Sequence, residues 1–271
     1  MAKCVAFVLA LLVAGGLGQT PTTLRNTVPG EFPSVVVITT PTPRLYCLGT
    51  VLNEYHVLTA APCVLTNDNM RIFPPRLVHV IGGDLTIMPV GIHRQTRAVE
   101  HIFVHENYRP HTNENSFAVI RLAEPFDLPS NVIEEVEIQT RILPDGHPCD
   151  VVRWFRPGGT GEPTSVPRQQ AFNVNIRNRD VCISRRPWEL TIREDLLCME
   201  LTVANINTIE GDLMFCDGRL AAILSFVWFR TVGDVETMHI AATQPRFHSH
   251  WINQQLNRTQ PMPEGWNPVE F

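Results

Sequence analysis

Six of the seven cysteines of this 271-residue chain are the side chains whose type and number most directly suggest covalent chemistry. They are Cys47, Cys63, Cys149, Cys182, Cys198 and Cys216. In an oxidising compartment six cysteines predict disulfides, and counting alone leaves their pairing open. A metal site is a poorer interpretation, because no CxxC or HExxH motif occurs and the ten histidines are scattered. We therefore expect disulfides, no metal ion and no cofactor.

Lysine chemistry is almost absent from the chain. Lys3 is the only lysine, and every other basic residue is an arginine. Schiff-base catalysis and P-loop phosphate binding both need a lysine amine, so neither fits the chain beyond its first residues. The formal net charge of −5 also argues against binding to nucleic acid or to an anionic membrane.

The N-terminus predicts a signal peptide over residues 1–18. Lys3 supplies a positive charge, and residues 5–13 form an apolar run that is too short to span a bilayer. Gly16 and Gly18 are small residues of the kind that a signal peptidase needs. Cys4 would leave with this leader. We expect a secreted, extracellular protein without a membrane span.

The elements that must position the cysteines are short and mostly strands. Proline and glycine number 22 and 16, and runs rich in Val, Ile, Leu and Phe lie between them. The runs are 34–39, 49–53, 57–61, 77–82, 117–122, 172–176, 220–226 and 237–242. This pattern is typical of a β-barrel or a β-sandwich. One helix is predicted over 247–256, followed by an extended, Pro-rich tail over 260–271.

Six segments together resemble the chymotrypsin-like serine proteases and follow the order of that family. They are 30–37, 47–63 with Thr-Ala-Ala-Pro-Cys at its end, 115–122, 149–154, 196–218 with Gly-Asp at 211–212, and 251–252. The resemblance implies an all-β fold of two six-stranded antiparallel β-barrels with a C-terminal α-helix, in one domain over 19–259 that is split between residues 125 and 144. It also implies one cysteine pairing: Cys47–Cys63, Cys149–Cys216 and Cys182–Cys198.

The positions that the resemblance assigns to catalysis carry side chains unfit for it. Acyl transfer by this family needs a serine, a histidine that takes its proton and an aspartate that orients the histidine. Pro62 stands at the histidine position and Ser116 at the aspartate position. Active members carry Gly-Asp-Ser-Gly-Gly-Pro, whereas only three residues separate Asp212 from Cys216 here. The nucleophile and two neighbours are missing, so we expect no catalytic residue and no enzymatic activity.

The specificity pocket and the activation site of the family are also altered. Ile209 replaces a cysteine, and Val227 stands where the family has glycine. We expect Ile209, Phe226 and Val227 to pack on one another and to close the pocket. Residues 25–30 lack a cleavage site that would free an amine to pair with Asp212, so we expect Asp212 to be exposed, with an arginine partner as the alternative.

The remaining candidates have ordinary structural interpretations. His56 fits a strand, and His248 and His250 fit a solvated surface. Asn257 begins the only glycosylation sequon, and Trp266 lies in a tail that we expect to be disordered. A local basic stretch fits a solvated face: Arg177, Arg179, Arg185, Arg186 and Arg193.

The sequence therefore predicts a monomeric protease homologue that acts by binding a protein partner, such as an active protease or its substrate. It would serve as an adaptor, decoy or cofactor in an extracellular proteolytic, immune or reproductive-fluid pathway. One alternative is a serine-type endopeptidase-like hydrolase with an unrecognised catalytic arrangement. The other is a carbohydrate or lipid carrier, for which the sequence shows no dedicated site.

Overall fold

Within the residues that a computed structural model describes, thirteen strands and two short α-helices make up most of the regular structure. The structure describes residues 24–41, 47–66, 71–128, 130–155, 167–187, 191–202, 210–232, 235–263, 265–266 and 268. The strands are β1 (Arg25–Asn26), β2 (Val35–Thr39), β3 (Cys47–Asn53), β4 (His56–Thr59), β5 (His79–Gly82), β6 (Gln95–Val104), β7 (Ala118–Leu122), β8 (Pro148–Phe155), β9 (Arg168–Arg177), β10 (Leu196–Thr202), β11 (Leu213–Cys216), β12 (Arg219–Val232) and β13 (Val235–Thr243). The helices are α1 (Arg179–Arg185) and α2 (Ser249–Leu256).

The two barrels predicted from the resemblance are present. Strands β2, β3, β4, β7, β6 and β5 close the first barrel in that order. The second closes through β8, β9, β10, β13, β12 and β11, with β1 added alongside β9. All pairings between named strands are antiparallel. Closure removes most open sheet edges and lets alternate side chains fill each interior.

Each predicted apolar run overlaps a strand, but the ends of the elements differ. Strand β4 ends at Thr59, because a 3-10 turn over Ala61–Val64 follows and contains Pro62. The predicted C-terminal helix is α2, preceded by a 3-10 turn over Pro245–His248. The seven-residue helix α1 was not predicted; the Asn178 side chain caps it by accepting the N–H of Asp180.

All three disulfides implied by the resemblance form. They are Cys47–Cys63, Cys149–Cys216 and Cys182–Cys198. The first holds β3 to the Ala61–Val64 turn, and the second joins β8 to β11. Each restricts the unfolded chain, which by the loop-entropy argument stabilises the fold by about 3–4 kcal/mol per disulfide.

The C-terminal tail is packed where the structure describes it, which corrects the expectation of a disordered Trp266. Met262 and Trp266 lie partly buried against the core of the first barrel. The Trp266 N–H donates to the Pro263 carbonyl at 3.2 Å. Burial of these two apolar side chains opposes the loss of chain entropy when the tail is ordered. Among the described residues, no helix is long and apolar enough to cross a membrane.

Candidate functional site

The segments around Pro62 and Gly211 meet in direct contact, as the resemblance requires of the histidine and nucleophile regions. Gly211 has φ +90°, and a Cβ built on it would lie 3.1 Å from Cys63 Sγ. Its N–H donates to the Leu224 carbonyl at 2.9 Å. Only glycine suits this backbone conformation and this close approach. The fold therefore keeps the geometry that brings the two segments together.

The resemblance places Pro62 and Ser116 at the positions of the family's histidine and aspartate. Pro62 lies within the Ala61–Val64 turn, where it has neither a titratable group nor an N–H. Ser116 is 2% exposed, and its Oγ has no hydrogen-bond partner among the described residues. A neutral hydroxyl cannot stabilise an imidazolium as an aspartate does.

Asp212 is buried, and the expectation of exposure is wrong. It is 2% exposed, and Arg153 in β8 is 6% exposed. Leu213 pairs with Val152, so the antiparallel register brings Asp212 and Arg153 side by side. Burial lowers the pKa of Arg153, while the Asp212 carboxylate opposes this by favouring the charged guanidinium. Asp212 can be buried because the Arg153 guanidinium supplies the opposite charge.

Residues 24–27 form part of the fold. Strand β1 pairs with β9, and the buried Thr27 hydroxyl donates to Gln169 Oε1 at 2.7 Å. The positive charge that acts on Asp212 thus comes from Arg153 within the second barrel. A newly cleaved N-terminal amine is not needed to explain the burial of this carboxylate.

Glu210 is a site residue that sequence reasoning missed. Burial raises its pKa to about 7, against the opposing effect of a hydrogen bond with Asn113. Asn113 also accepts from Tyr108 Oη at 3.4 Å and donates to the Ser225 carbonyl at 3.0 Å. These contacts join a loop of the first barrel to β12 of the second. The only signal in the sequence was a carboxyl group directly before Gly211.

The predicted packing of Phe226 and Val227 on each other is wrong. Phe226 packs beside Trp228 in a cluster with the Cys182–Cys198 disulfide, whereas Val227 packs against the second-barrel core. Neighbouring residues of a strand point to opposite faces, so the two side chains separate. Ile209, the third residue of that prediction, lies outside the described residues.

His56 has the structural role that its strand position predicted. It opens β4 and is 3% exposed. Its Nδ1 lies 2.8 Å from Asn53 Oδ1, and Arg121 Nη1 lies 3.4 Å from its Nε2. Burial, followed by the Arg121 charge, lowers its pKa to about 4, although Glu100 acts in the opposite direction. A histidine that stays neutral and bonded in this way is part of the core.

His248 is not on the solvated surface, which corrects the expectation for this residue. The 3-10 turn that ends at His248 leaves its side chain 10% exposed, with the Phe117 ring centroid at 4.8 Å. Its Nε2 lies 3.8 Å from Asp195 Oδ2. His250 is exposed and contacts Gln254, as expected.

The arginines of the basic stretch are largely occupied by local partners. Arg185 pairs with Glu200, and Arg193 pairs with Asp195 at 3.0 Å. The Arg179 guanidinium donates to a backbone carbonyl. No group of three or more His, Cys, Asp or Glu side chains in the described part of the chain is arranged to hold a metal ion. The arrangement supports packing and recognition more readily than bond-making chemistry.

Comparisons with known proteins agree with this geometry. The family model described as Trypsin matches residues 23–247. The chain is 27% identical to chymotrypsin-C of Bos taurus over 221 residues, covering 79% of each chain. It is 28% identical to coagulation factor IX of Oryctolagus cuniculus over 194 residues, covering 69% of this chain and 66% of the relative. A solved structure titled human heparin binding protein has a TM-score of 0.67 at 21% identity, over 89% of this chain and 98% of the other.

Proposed function

The chain belongs to the trypsin family, and we propose that within it the chain is a non-catalytic member that acts by binding other proteins. The observation that carries the proposal is the chemistry at three positions. Proline stands where the family's base is, a buried and unpartnered serine where its aspartate is, and Asp212 and Cys216 are only four positions apart. Loss of one triad member or one oxyanion donor alone lowers the rate by about 10²-fold or more.

The two barrels and the three disulfides form a rigid framework, which supports a binding role. Both closed barrels, the three disulfides and the Gly211–Cys63 contact hold the surface loops in fixed positions. Loops on a rigid scaffold are where proteins most often carry recognition. We propose that the protein works as a monomeric adaptor, decoy or cofactor for an extracellular protease or its substrate.

The proposal includes secretion and modification. The predicted signal peptide at residues 1–18 lies outside the described residues, whereas the three disulfides fit an oxidising compartment. Asn257 is exposed at the end of α2, with its side-chain amide donating to the Asn253 carbonyl at 2.9 Å. A glycan on Asn257 would point away from both barrel cores.

Heparin binding is not part of the proposal. That name belongs to the structural neighbour, whose 21% identity establishes similarity of fold alone. Here Arg185 and Arg193 have carboxylate partners, and the chain carries a net charge of −5. A polyanion would have to displace these internal ion pairs.

A hydrolase with an unrecognised arrangement is the second candidate, and Glu210 is the observation in its favour. A carboxyl group with a pKa of about 7 has the proton affinity of a general base. It would still need a nucleophile, and its recorded hydrogen bond is to Asn113. Assays against peptide esters and thioesters across neutral pH, with Glu210→Gln beside the wild type, separate the two functions. Turnover abolished by Glu210→Gln would favour the hydrolase.

The binding function is tested by affinity purification from the fluid of the secreting tissue. The full chain, with its disulfides intact, should retain a defined protein partner that then binds purified chain in a saturable manner. A reduced and alkylated sample is the control, because it lacks the framework that holds the loops. Equal retention by both samples would contradict a function that depends on this fold.

A further inference from the structure

An exposed apolar loop lies between β5 and β6. Three of its side chains face solvent: Met88 is 60% exposed, Val90 62% and Ile92 93%. Single exposed apolar residues are common on protein surfaces, but three within five positions form a patch. We call residues 88–92 the apolar loop.

The apolar loop is held in place by an ion pair that is nearly buried. The side chains of Asp84 and Arg94 are 11% and 10% exposed, with Nη2 and Oδ2 2.8 Å apart. Asp84 also accepts the Gly91 N–H at 2.7 Å, and Arg94 donates to the carbonyls of Thr86 and Ile87, each at 2.7 Å. Because these bonds fix both ends of the loop, little conformational entropy remains to be lost when its apolar side chains bind.

Two adjoining depressions extend this patch. The first, of about 250 Å³, lies between the loop and the segment before β2, with Ile92, Phe32 and Val132 among its walls. The second, of about 580 Å³, shares Gly30, Phe32 and Pro33 with the first. The apolar loop and both depressions therefore form one continuous surface.

The second depression is strongly acidic, and we call it the acidic cleft. Its lining contains five carboxylates and no basic residue: Glu31, Glu134, Glu135, Asp150 and Asp217. Glu134 and Glu135 are exposed and have no ion-pair partner among the described residues. Burial, with Glu31 adding to it, raises the pKa of Asp150, even though Arg25 acts in the opposite direction. Arg25 pairs with both Glu31 and Asp150, and Arg141 pairs with Asp217. The negative charge that the described chain leaves uncompensated in the cleft therefore lies mainly on Glu134 and Glu135.

We propose that the apolar loop and the acidic cleft together form the docking surface for an extended segment of a partner protein that carries arginine or lysine beside an apolar side chain. The proposal rests on the non-catalytic binding function and names its site. The basic side chains enter the acidic cleft, and the apolar side chain lies against Ile92 and the first depression. Complementary charge specifies the partner, and burial of apolar surface contributes the affinity.

Other occupants fit this surface less well. The carboxylates of the cleft do not form any group arranged to hold a metal ion among the described residues. An anionic lipid surface would be repelled by Glu134 and Glu135, which line the cleft without an ion pair among the described residues. An extended protein segment can reach both depressions at once, because it spans about 3.3 Å per residue.

The test measures binding of short synthetic peptides to the full, disulfide-bonded chain at two salt concentrations. The probes are an alternating Arg-Leu peptide, its Glu-Leu counterpart and its Arg-Ser counterpart. Only the Arg-Leu peptide should bind saturably, and salt should weaken its binding. Glu134→Gln/Glu135→Gln should raise its dissociation constant about tenfold, the size expected for loss of two surface ion pairs. Val90→Ser/Ile92→Ser should lower the affinity for the Arg-Leu peptide towards the affinity for the Arg-Ser peptide.

Matched controls remove the same groups elsewhere on the surface. Glu124→Gln/Glu194→Gln deletes two exposed carboxylates, and Leu77→Ser deletes an exposed apolar side chain. Controls that weaken binding as much as the cleft and loop variants, or the absence of saturable Arg-Leu binding, would overturn the proposal. Failure here, with a protein partner still captured, would reject this surface and leave the binding function intact. Hydrolysis of a substrate by the wild type would instead reject the binding function.

Discussion

At the scale of single residues, Glu210 shows how the altered site affects stability. Its pKa is raised from 4.5 to about 7 because the carboxyl group is buried beside Asn113. The folded protein therefore holds this proton more tightly than the unfolded chain does. Protonated Glu210 therefore adds to the free energy of unfolding. This contribution is fully present below pH 4.5 and is lost as the pH rises through 7.

Glu210→Gln should prevent the loss of stability that follows ionisation of Glu210 at high pH. Glutamine keeps the acceptor oxygen and carries no charge. We expect the variant to be more stable than the wild type by about 2 kcal/mol at pH 8 and nearly equal to it at pH 4.5. Chemical denaturation at the two pH values measures the difference. An equal effect at both pH values would mean that Glu210 is charged throughout or exposed.

Residue type alone decides that Pro62 cannot act as a base, so this property needs only the sequence. The structure adds that the segment containing Pro62 contacts Gly211 through Cys63 and Ala60. The burial of Asp212 could not be predicted, because Arg153 is distant in sequence and becomes its neighbour only when β8 pairs with β11. The environment of Glu210 likewise depends on contacts between the two barrels.

At the scale of elements, β2 was predicted because its run is buried at four of five positions. Strand β6 was not predicted, because polar, charged and apolar residues are mixed over its first seven positions. Helix α1 was not predicted, because seven residues are too few to show a helical repeat of apolar side chains. The helix also depends on the Asn178 cap. Tertiary pairing determines such elements more than local propensity does.

The pairing of β8 with β11 should depend on the Arg153–Asp212 charge pair. Arg153→Met would leave a buried carboxylate without its counter-charge, and we expect a loss of about 3 kcal/mol in the free energy of unfolding. Arg153→Met/Asp212→Leu should recover most of that loss, because both charges are gone. Urea denaturation measures each value, with Arg230→Met as the exposed control. A double variant no more stable than Arg153→Met would show that the two groups are not coupled.

The short connection from Asp212 to Cys216 should prevent recovery of catalysis. Pro62→His/Ser116→Asp restores two side chains of the triad but neither the nucleophile nor the donors of its loop. Triad members act as a unit, so we expect no turnover of a peptide ester above the uncatalysed rate. Measurable turnover by this double variant would reveal a serine in the nucleophile's place.

At the scale of the whole molecule, buried neutral histidines make the fold sensitive to acid. Burial lowers the pKa of both His56 and His105 to about 4, with smaller contributions from Arg121 and His248 respectively. Their ordinary value is 6.5, so the unfolded chain binds these protons first as the pH falls. The neutral forms of the two histidines therefore contribute fully to the free energy of unfolding above pH 6.5. This contribution is lost as the pH falls from 6.5 to 4.

Thermal unfolding between pH 7 and 4.5 should show this loss, on the order of 1 kcal/mol for each histidine. His105→Gln should lower the slope of stability against pH, because glutamine does not titrate in this range. His250→Gln is the exposed control and should leave the slope unchanged. An unaltered slope in His105→Gln would place the acid sensitivity elsewhere in the molecule.

The central claim is that this protein keeps the framework of an active protease without its nucleophile. Incubation with excess fluorophosphonate, followed by intact-mass measurement, tests the claim most directly, with active chymotrypsin as the positive control. We predict that the wild-type chain gains no adduct under conditions that label the control completely. A stoichiometric adduct on any serine of the folded chain, absent after denaturation, would contradict it.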